Sequence, residues 1–172
     1  MKLLRYNVAM SLDGYIADEE GGYDWIPAEP GVDFAALFNE FDSFVMGRRT
    51  FDLVQSLGDK NPTAGRTVLV VSRTLPDSQL PGIEIVRDHI PDRVRRQKAD
   101  SEKDVWLFGG ASLFRYLLDA GIVDRVEVSV VPVLLGSGIP LVHEGRKHLL
   151  KLVSSEALPS GIVQLVYSVE LE

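Results

Sequence analysis

Cysteine is missing from all 172 residues, which removes disulfides, thiolate metal ligands and cysteine nucleophiles from consideration. That absence fits a reducing compartment, and a cytoplasmic location is the expectation. Histidine is scarce as well. His89, His143 and His148 are scattered, and the last two stand five apart, a poor spacing for a helical metal pair. All three read as surface or satisfied side chains, and no metal site is expected. Positive charge is in deficit, with 18 Lys and Arg against 25 Asp and Glu, for a net charge of −7. Polyanion binding normally needs a basic face, so no nucleic-acid partner is expected. Long apolar runs are lacking too: "VEVSVVPVLLGSGIPLV" is broken by Glu127, Ser129, Pro132 and glycines. The N-terminal "MKLLRYNVAMSLDG" carries charge and a turn early, so neither a signal peptide nor a membrane span is expected. Three familiar signatures are absent: G-x-G-x-x-G, the G-x-x-x-x-G-K-[ST] loop and the G-x-S-x-G nucleophile elbow.

What remains is an ordinary globular composition, 45% hydrophobic and 25% charged, long enough for one sizeable core. A single domain over residues 1–172 is the economical reading. Strand signals in "LLRYNVAM", "SFVMG", "RTVLVVSRT", "IEIVRD", "VWLF" and "DRVEVSVVPVLLG" alternate with helical patterns. After Asp33, the residues Phe34, Leu37, Phe38 and Phe41 share one helix face; Leu113, Phe114, Leu117 and Leu118 form another stripe, stopped by Gly121. A hairpin closes the chain, turning at Pro159-Ser160-Gly161. The expected class is α/β: a three-layer, mostly parallel central sheet, helices on both faces, and an antiparallel C-terminal hairpin.

In such sheets ligands sit beyond the carboxyl ends of the strands. Three of those ends carry anion-friendly residues. Gly47-Arg48-Arg49-Thr50 opens a helix after "SFVM". Ser72-Arg73-Thr74 follows "TVLVV". Gly109-Gly110-Ala111-Ser112 opens a helix after "VWLF". Two place helix N-termini at the edge, where free N–H groups and the helix dipole favour anions. Guanidinium groups add a geometry suited to phosphate oxygens. Each motif alone is equally explained as a tight connection or a solvated strand end; their coincidence on one rim points to a ligand with several phosphates, such as a dinucleotide.

The ordered segments "VAMSLDGYIA", "FVMGRRTF", "VLVVSRT", "WLFGGASLFRYLL" and "VDRVEVSVVPVLLGSGIPLV" resemble the dihydrofolate reductase-like superfamily. Within it they resemble the branch holding the reductase domain of bifunctional riboflavin-biosynthesis deaminase-reductases. The resemblance implies an NADPH-binding fold. It puts Ala9 and Ile16 at the nicotinamide pocket and Gly47, Arg48, Arg49 and Thr50 on the pyrophosphate and adenosine side. It puts Ser72, Arg73 and Thr74 at the 2′-phosphate. Gly109, Gly110, Ala111, Ser112, Leu113 and Phe114 would wrap the pyrophosphate and nicotinamide end, with a cis bond between the two glycines. It further implies a homodimer, for which "VSVVPVLLG" is a candidate interface, although a buried strand explains that segment equally well. The deaminase half's zinc motif needs cysteines, so deaminase activity is excluded. The acidic substrate-site residues of the riboflavin enzymes are replaced here by "RTFDLVQSLG".

The expected activity is therefore NADPH-dependent hydride transfer to a small pterin- or ribosylaminopyrimidine-like heterocycle. True dihydrofolate reduction and a non-catalytic NADPH-binding module are the alternatives. Asp33 is the first candidate proton donor and also looks like a helix N-cap. The roles conflict, because a carboxylate accepting helix N–H bonds keeps a low pKa. Asp13 is the second candidate, with a turn role through Asp13-Gly14, and Asp52 a weaker third. Trp25 either covers the core or lids the site, and covering is favoured.

Overall fold

The computed structural model describes residues 2–28 and 31–170, so Met1, Glu29, Pro30, Leu171 and Glu172 lie outside the described residues. The elements run in the order β1 (Leu4–Ser11), β2 (Tyr15–Ala17), α1 (Phe34–Asn39), β3 (Phe41–Gly47), α2 (Arg48–Ser56), β4 (Thr67–Val71) and β5 (Ile83–Val86). Then come α3 (Ile90–Asp100), β6 (Asp104–Gly109), α4 (Ala111–Asp119), β7 (Arg125–Val131), β8 (Ile139–Pro140), β9 (Leu150–Ala157) and β10 (Val163–Val169). Eight strands form one sheet in the order β5-β4-β3-β6-β1-β7-β10-β9. β5 through β7 run parallel, and β10 and β9 add on antiparallel as the expected hairpin.

Strand alternation divides the buried side chains between the two faces. Tyr6, Val45, Leu69, Leu107 and Val126 pack on one face against Val94 of α3 and Leu117 of α4. Phe44, Met46, Val68 and Trp106 pack on the other against Phe51 and Val54 of α2, with Leu37 and Phe38 of α1 beside them. Phe41, read from the sequence as part of the α1 stripe, instead opens β3 and is 1% exposed.

The second face is only half covered. α1 has six residues and none is buried, and among the described residues no helix packs on the face of β1, β7 and β10. There Asn7, Ala9, Ser129 and Gln164 remain partly open. A small sheet of β2 and β8, not foreseen from the sequence, stands over that side. Within the segment 128–136, residues 128–131 belong to β7 and are bonded on both edges by β1 and β10, whereas Leu134 beyond the strand is exposed. Further exposed apolar groups lie on β9, at Leu150, Leu152 and Val153. No helix of the described residues is long and apolar enough to cross a membrane.

Candidate functional site

Sheet register brings the three strand ends together. Gly47 at the end of β3 pairs with Val71 at the end of β4, and Met46 pairs with Gly109 at the end of β6. The chain crossings at 47–50, 72–74 and 109–112 therefore leave one rim from adjacent strands. All three open onto one cleft of about 2190 Å³. Ordinary small-molecule pockets measure roughly 300–1,000 Å³, so this one has room for a dinucleotide and a second molecule.

Two helix N-termini face each other across the rim. Gly47 is the N-cap of α2 and Gly110 the N-cap of α4, and neither helix has a side-chain cap. A helix start leaves its first amides without intrahelical acceptors, and a Ser or Asp cap would normally take one. Here they are left for something outside the chain.

The backbone does not itself demand glycine at these caps. Gly47 sits at φ −78° and Gly110 at φ −94°, values any residue adopts. A Cβ on Gly47 would come no nearer than 4.0 Å to the Gly109 carbonyl oxygen, and one on Gly110 no nearer than 4.0 Å to Thr50 Oγ1. A side chain would fill the cradle without disturbing its walls. Gly109 differs: its φ is +143° and its Cβ would press Thr50 Oγ1 at 3.2 Å, so backbone and packing both require glycine. The Gly109–Gly110 peptide is cis.

The other predicted contacts divide. Ala9, Ile16, Arg49, Thr50, Ser72 and Arg73 line the cleft, as do Ala111, Ser112 and Leu113. Among the described residues neither Arg49 nor Arg73 makes an ion pair, whereas nearby Arg87 is held by Asp77 and the Leu75 carbonyl. Ser72 Oγ accepts from the amides of Thr74 and Leu75, which shapes its turn and leaves the hydroxyl proton to donate.

Three predicted contacts lie elsewhere. Arg48 folds back onto Asp52 at 2.9 Å, one helical turn on, which also occupies the weaker proton-donor candidate. Thr74 gives only its amide to the Ser72 turn and its side chain is outside the cleft. Phe114 points to the opposite face and stacks on Tyr6 with ring centroids 3.9 Å apart. A nine-residue helix shows one face to the rim, so Leu113 and Phe114 cannot both reach it.

The candidate acids are both structural. Asp13 accepts from Ser11 Oγ at 2.6 Å and from the Leu135 and Gly136 amides, tying the β1 turn to the loop after β7. The Ser11 hydrogen bond leads in holding its carboxyl below the usual range, opposite to what a proton donor needs. It does not line the cleft. Asp33 does line the cleft, and its Oδ1 accepts the Ala36 amide at 2.9 Å as the N-cap of α1. Trp25 joins neither core cluster and donates to the Gly22 carbonyl within its own loop.

Sequence reasoning missed the floor of the cleft. Arg5 and Asn7 of β1 and Glu127 of β7 form a buried network there: Arg5 Nε and Nη2 donate to the two Glu127 oxygens at 2.6 and 2.9 Å. Asn7 Nδ2 donates to Glu127 Oε2 at 2.8 Å. Burial opposes the charge on Arg5, but hydrogen bonds to Glu127 and Glu40 outweigh it and push the guanidinium pKa above its ordinary value. Polar residues at alternate positions of two inner strands were the available signal. His143, read as a surface residue, also lines this cleft.

A parallel sheet whose rim gathers uncapped helix starts, over a cleft with a polar floor, defines an α/β fold with its candidate site at the carboxyl ends of the strands. The chain belongs to the RibD C-terminal domain family, whose model matches residues 2–164. It is 33% identical over 173 residues to YyaP, an uncharacterized protein of Bacillus subtilis, covering 94% of this chain and 92% of that one. It is 29% identical over 152 residues to the riboflavin biosynthesis protein RibD of Mycobacterium tuberculosis H37Rv, covering 81% of this chain but 44% of that protein. A crystal structure of a candidate riboflavin biosynthesis protein from Shewanella sp. PV-4 superposes with a TM-score of 0.85 at 28% identity, covering 99% of this chain and 100% of that one.

Proposed function

We propose that the chain is an NADPH-dependent reductase acting on a small pterin- or ribosylaminopyrimidine-like heterocycle. The observation that carries this reading is the pair of facing N-caps, Gly47 and Gly110, which are glycine where neither backbone angle nor packing asks for it. Glycine there keeps the main chain approachable, and the uncapped amides of α2 and α4 suit the two phosphates of a pyrophosphate. Arg73, exposed and without an ion pair among the described residues, stands beside Ser72, where it would meet the 2′-phosphate that distinguishes NADPH from NADH. Membership of the RibD C-terminal family supports a reductase.

When bound, NADPH would supply a hydride to the acceptor carbon, and the neighbouring nitrogen or oxygen would take its proton from solvent water. The chain's part is positional. Thr50 and the glycines shape the cradle, Arg49 and Arg73 anchor the phosphates, and Ala9 leaves a flat floor against which rings can lie.

Calorimetric titration with both pyridine nucleotides tests the reading. Wild type binds NADPH in preference to NADH, and Arg73→Ala loses about tenfold or more for NADPH, the scale of one charge-assisted contact, with little change for NADH. No binding of either nucleotide sinks the proposal. Binding without NADPH oxidation by dihydrofolate, a pterin or a ribosylaminopyrimidine would mark a binding module instead.

A further inference from the structure

Resting on that reading, we infer that the acceptor bound beside the cofactor is a planar ring that carries no phosphate. The cleft is electrically divided. Its unpaired cations, Arg49 and Arg73, sit past β3 and β4. β1 and β7 lie two and three strands from β3, and three and four from β4, roughly 10–20 Å away at the usual strand spacing. Among the described residues the only arginine lining the cleft there is Arg5, and Glu127 holds it through two nitrogens while Glu40 holds the third. Glu19, Glu20 and Asp33 also line the cleft. A phosphate in that half would give up water, find no available guanidinium and, apart from the His143 ring that also lines the cleft, meet several carboxylates.

The remaining surface suits a flat, uncharged ring with polar edges. In-register pairing sets Ala9, Ser129 and Gln164 side by side across β1, β7 and β10, with Asn7 and Glu127 in the next row. The side chains of Ser129 and Gln164 have no hydrogen-bond partner among the described residues, and Asn7 engages only its amide nitrogen. Together they offer a hydroxyl, an amide and a carbonyl oxygen to a ring edge. The adjoining wall is aromatic. Phe38 and Phe108 lie 4.8 and 5.0 Å from Trp106 between ring centroids, and Phe34 stands 58% exposed at the mouth. Such a wall gains by covering a ring face.

The test titrates NADP+-saturated protein with three probes: a ribosylaminopyrimidine, its 5′-phosphate, and a pterin. The expected result is that at least one unphosphorylated ring binds, and that the nucleoside form binds at least about tenfold tighter than its phosphate ester. In a Glu19→Gln/Glu20→Gln variant, which removes charge and leaves the cofactor rim alone, that ratio narrows several-fold. Equal or tighter binding of the phosphate ester, binding of none of the three, or a ratio unmoved in the variant overturns the inference. If NADP+ itself fails to bind, the reductase reading falls with it; if NADP+ binds and the phosphate ester wins, only this inference falls.

Discussion

Replacing Glu127 with alanine strips the buried network of its anion while leaving the cation in place. Arg5 is 9% exposed and Glu127 5%, so neither charge is well solvated. Removing one member of such a pair costs about 3–5 kcal/mol, because the other charge stays buried without its partner. Two features of the structure place this case at the low end. Glu40 still meets Arg5, although its side chain is 50% exposed and so contributes no more than about 1 kcal/mol. The network also floors an open cleft, which admits water to the orphaned guanidinium. The expected loss is about 3 kcal/mol, or roughly 6–12 °C in Tm at 2–4 °C per kcal/mol for a chain of this size. Urea unfolding followed by tryptophan fluorescence measures it, with the m value as a check that the transition stays comparable. The Arg5→Met/Glu127→Leu double variant removes both charges and their desolvation together, and is expected within about 1 kcal/mol of wild type. A loss below about 1 kcal/mol in Glu127→Ala, or a double variant as unstable as the single, would refute the reasoning.

Two further outcomes follow from local geometry. Gly110→Ala and Gly47→Ala have ordinary backbone angles and 4.0 Å of clearance, so each is expected to melt within a few degrees of wild type yet lose NADPH affinity at least about tenfold, since the methyl enters the cradle. A cofactor affinity equal to wild type would show that the ligand does not approach these caps. Asp42 ties the starts of β3 and β6 by accepting the Glu102 and Lys103 amides at 2.7 and 3.1 Å. Burial alone would raise its pKa, but those hydrogen bonds and the Ser43 hydroxyl hold the native carboxyl below 3.8. Its contribution is therefore complete above the unfolded value of about 3.9 and disappears as pH falls through the lower native one. Asp42→Ala is expected to cost about 1.5 kcal/mol at pH 7, the low end for bonds to a charged group on a part-exposed residue. That gap should narrow as pH falls below the unfolded value of about 3.9; a gap that does not narrow in urea unfolding contradicts the assignment.

Backbone chemistry was the legible part of this chain, and side-chain direction the illegible part. The turn at Pro159-Ser160-Gly161 and the β-branched run 67–71 name their structures locally, and β9, β10 and β4 follow them. The rim was legible for the same reason: glycines between an apolar run and a helical pattern are a statement about main chain, and main chain meets there. Arg48 and Arg49 show the limit. They are adjacent and chemically identical, yet a helix turns successive side chains 100° apart; Asp52, one turn on, captures the first and leaves the second to the cleft. Phe114 was misplaced on the rim by that same rotation. The floor was missed for a different reason. Arg5, Asn7, Glu127 and Ser129 alternate with Leu4, Tyr6, Val126 and Val128, the pattern of a sheet with one wet face. A sheet expected to be covered on both sides by helices has no place for such a face, so the alternation passed for noise. The short, unburied α1 resolves the conflict: its Leu37 and Phe38 pack beside Phe44 of β3 and Trp106 of β6, and the polar face left open on β1 and β7 is the one against which a second molecule would lie.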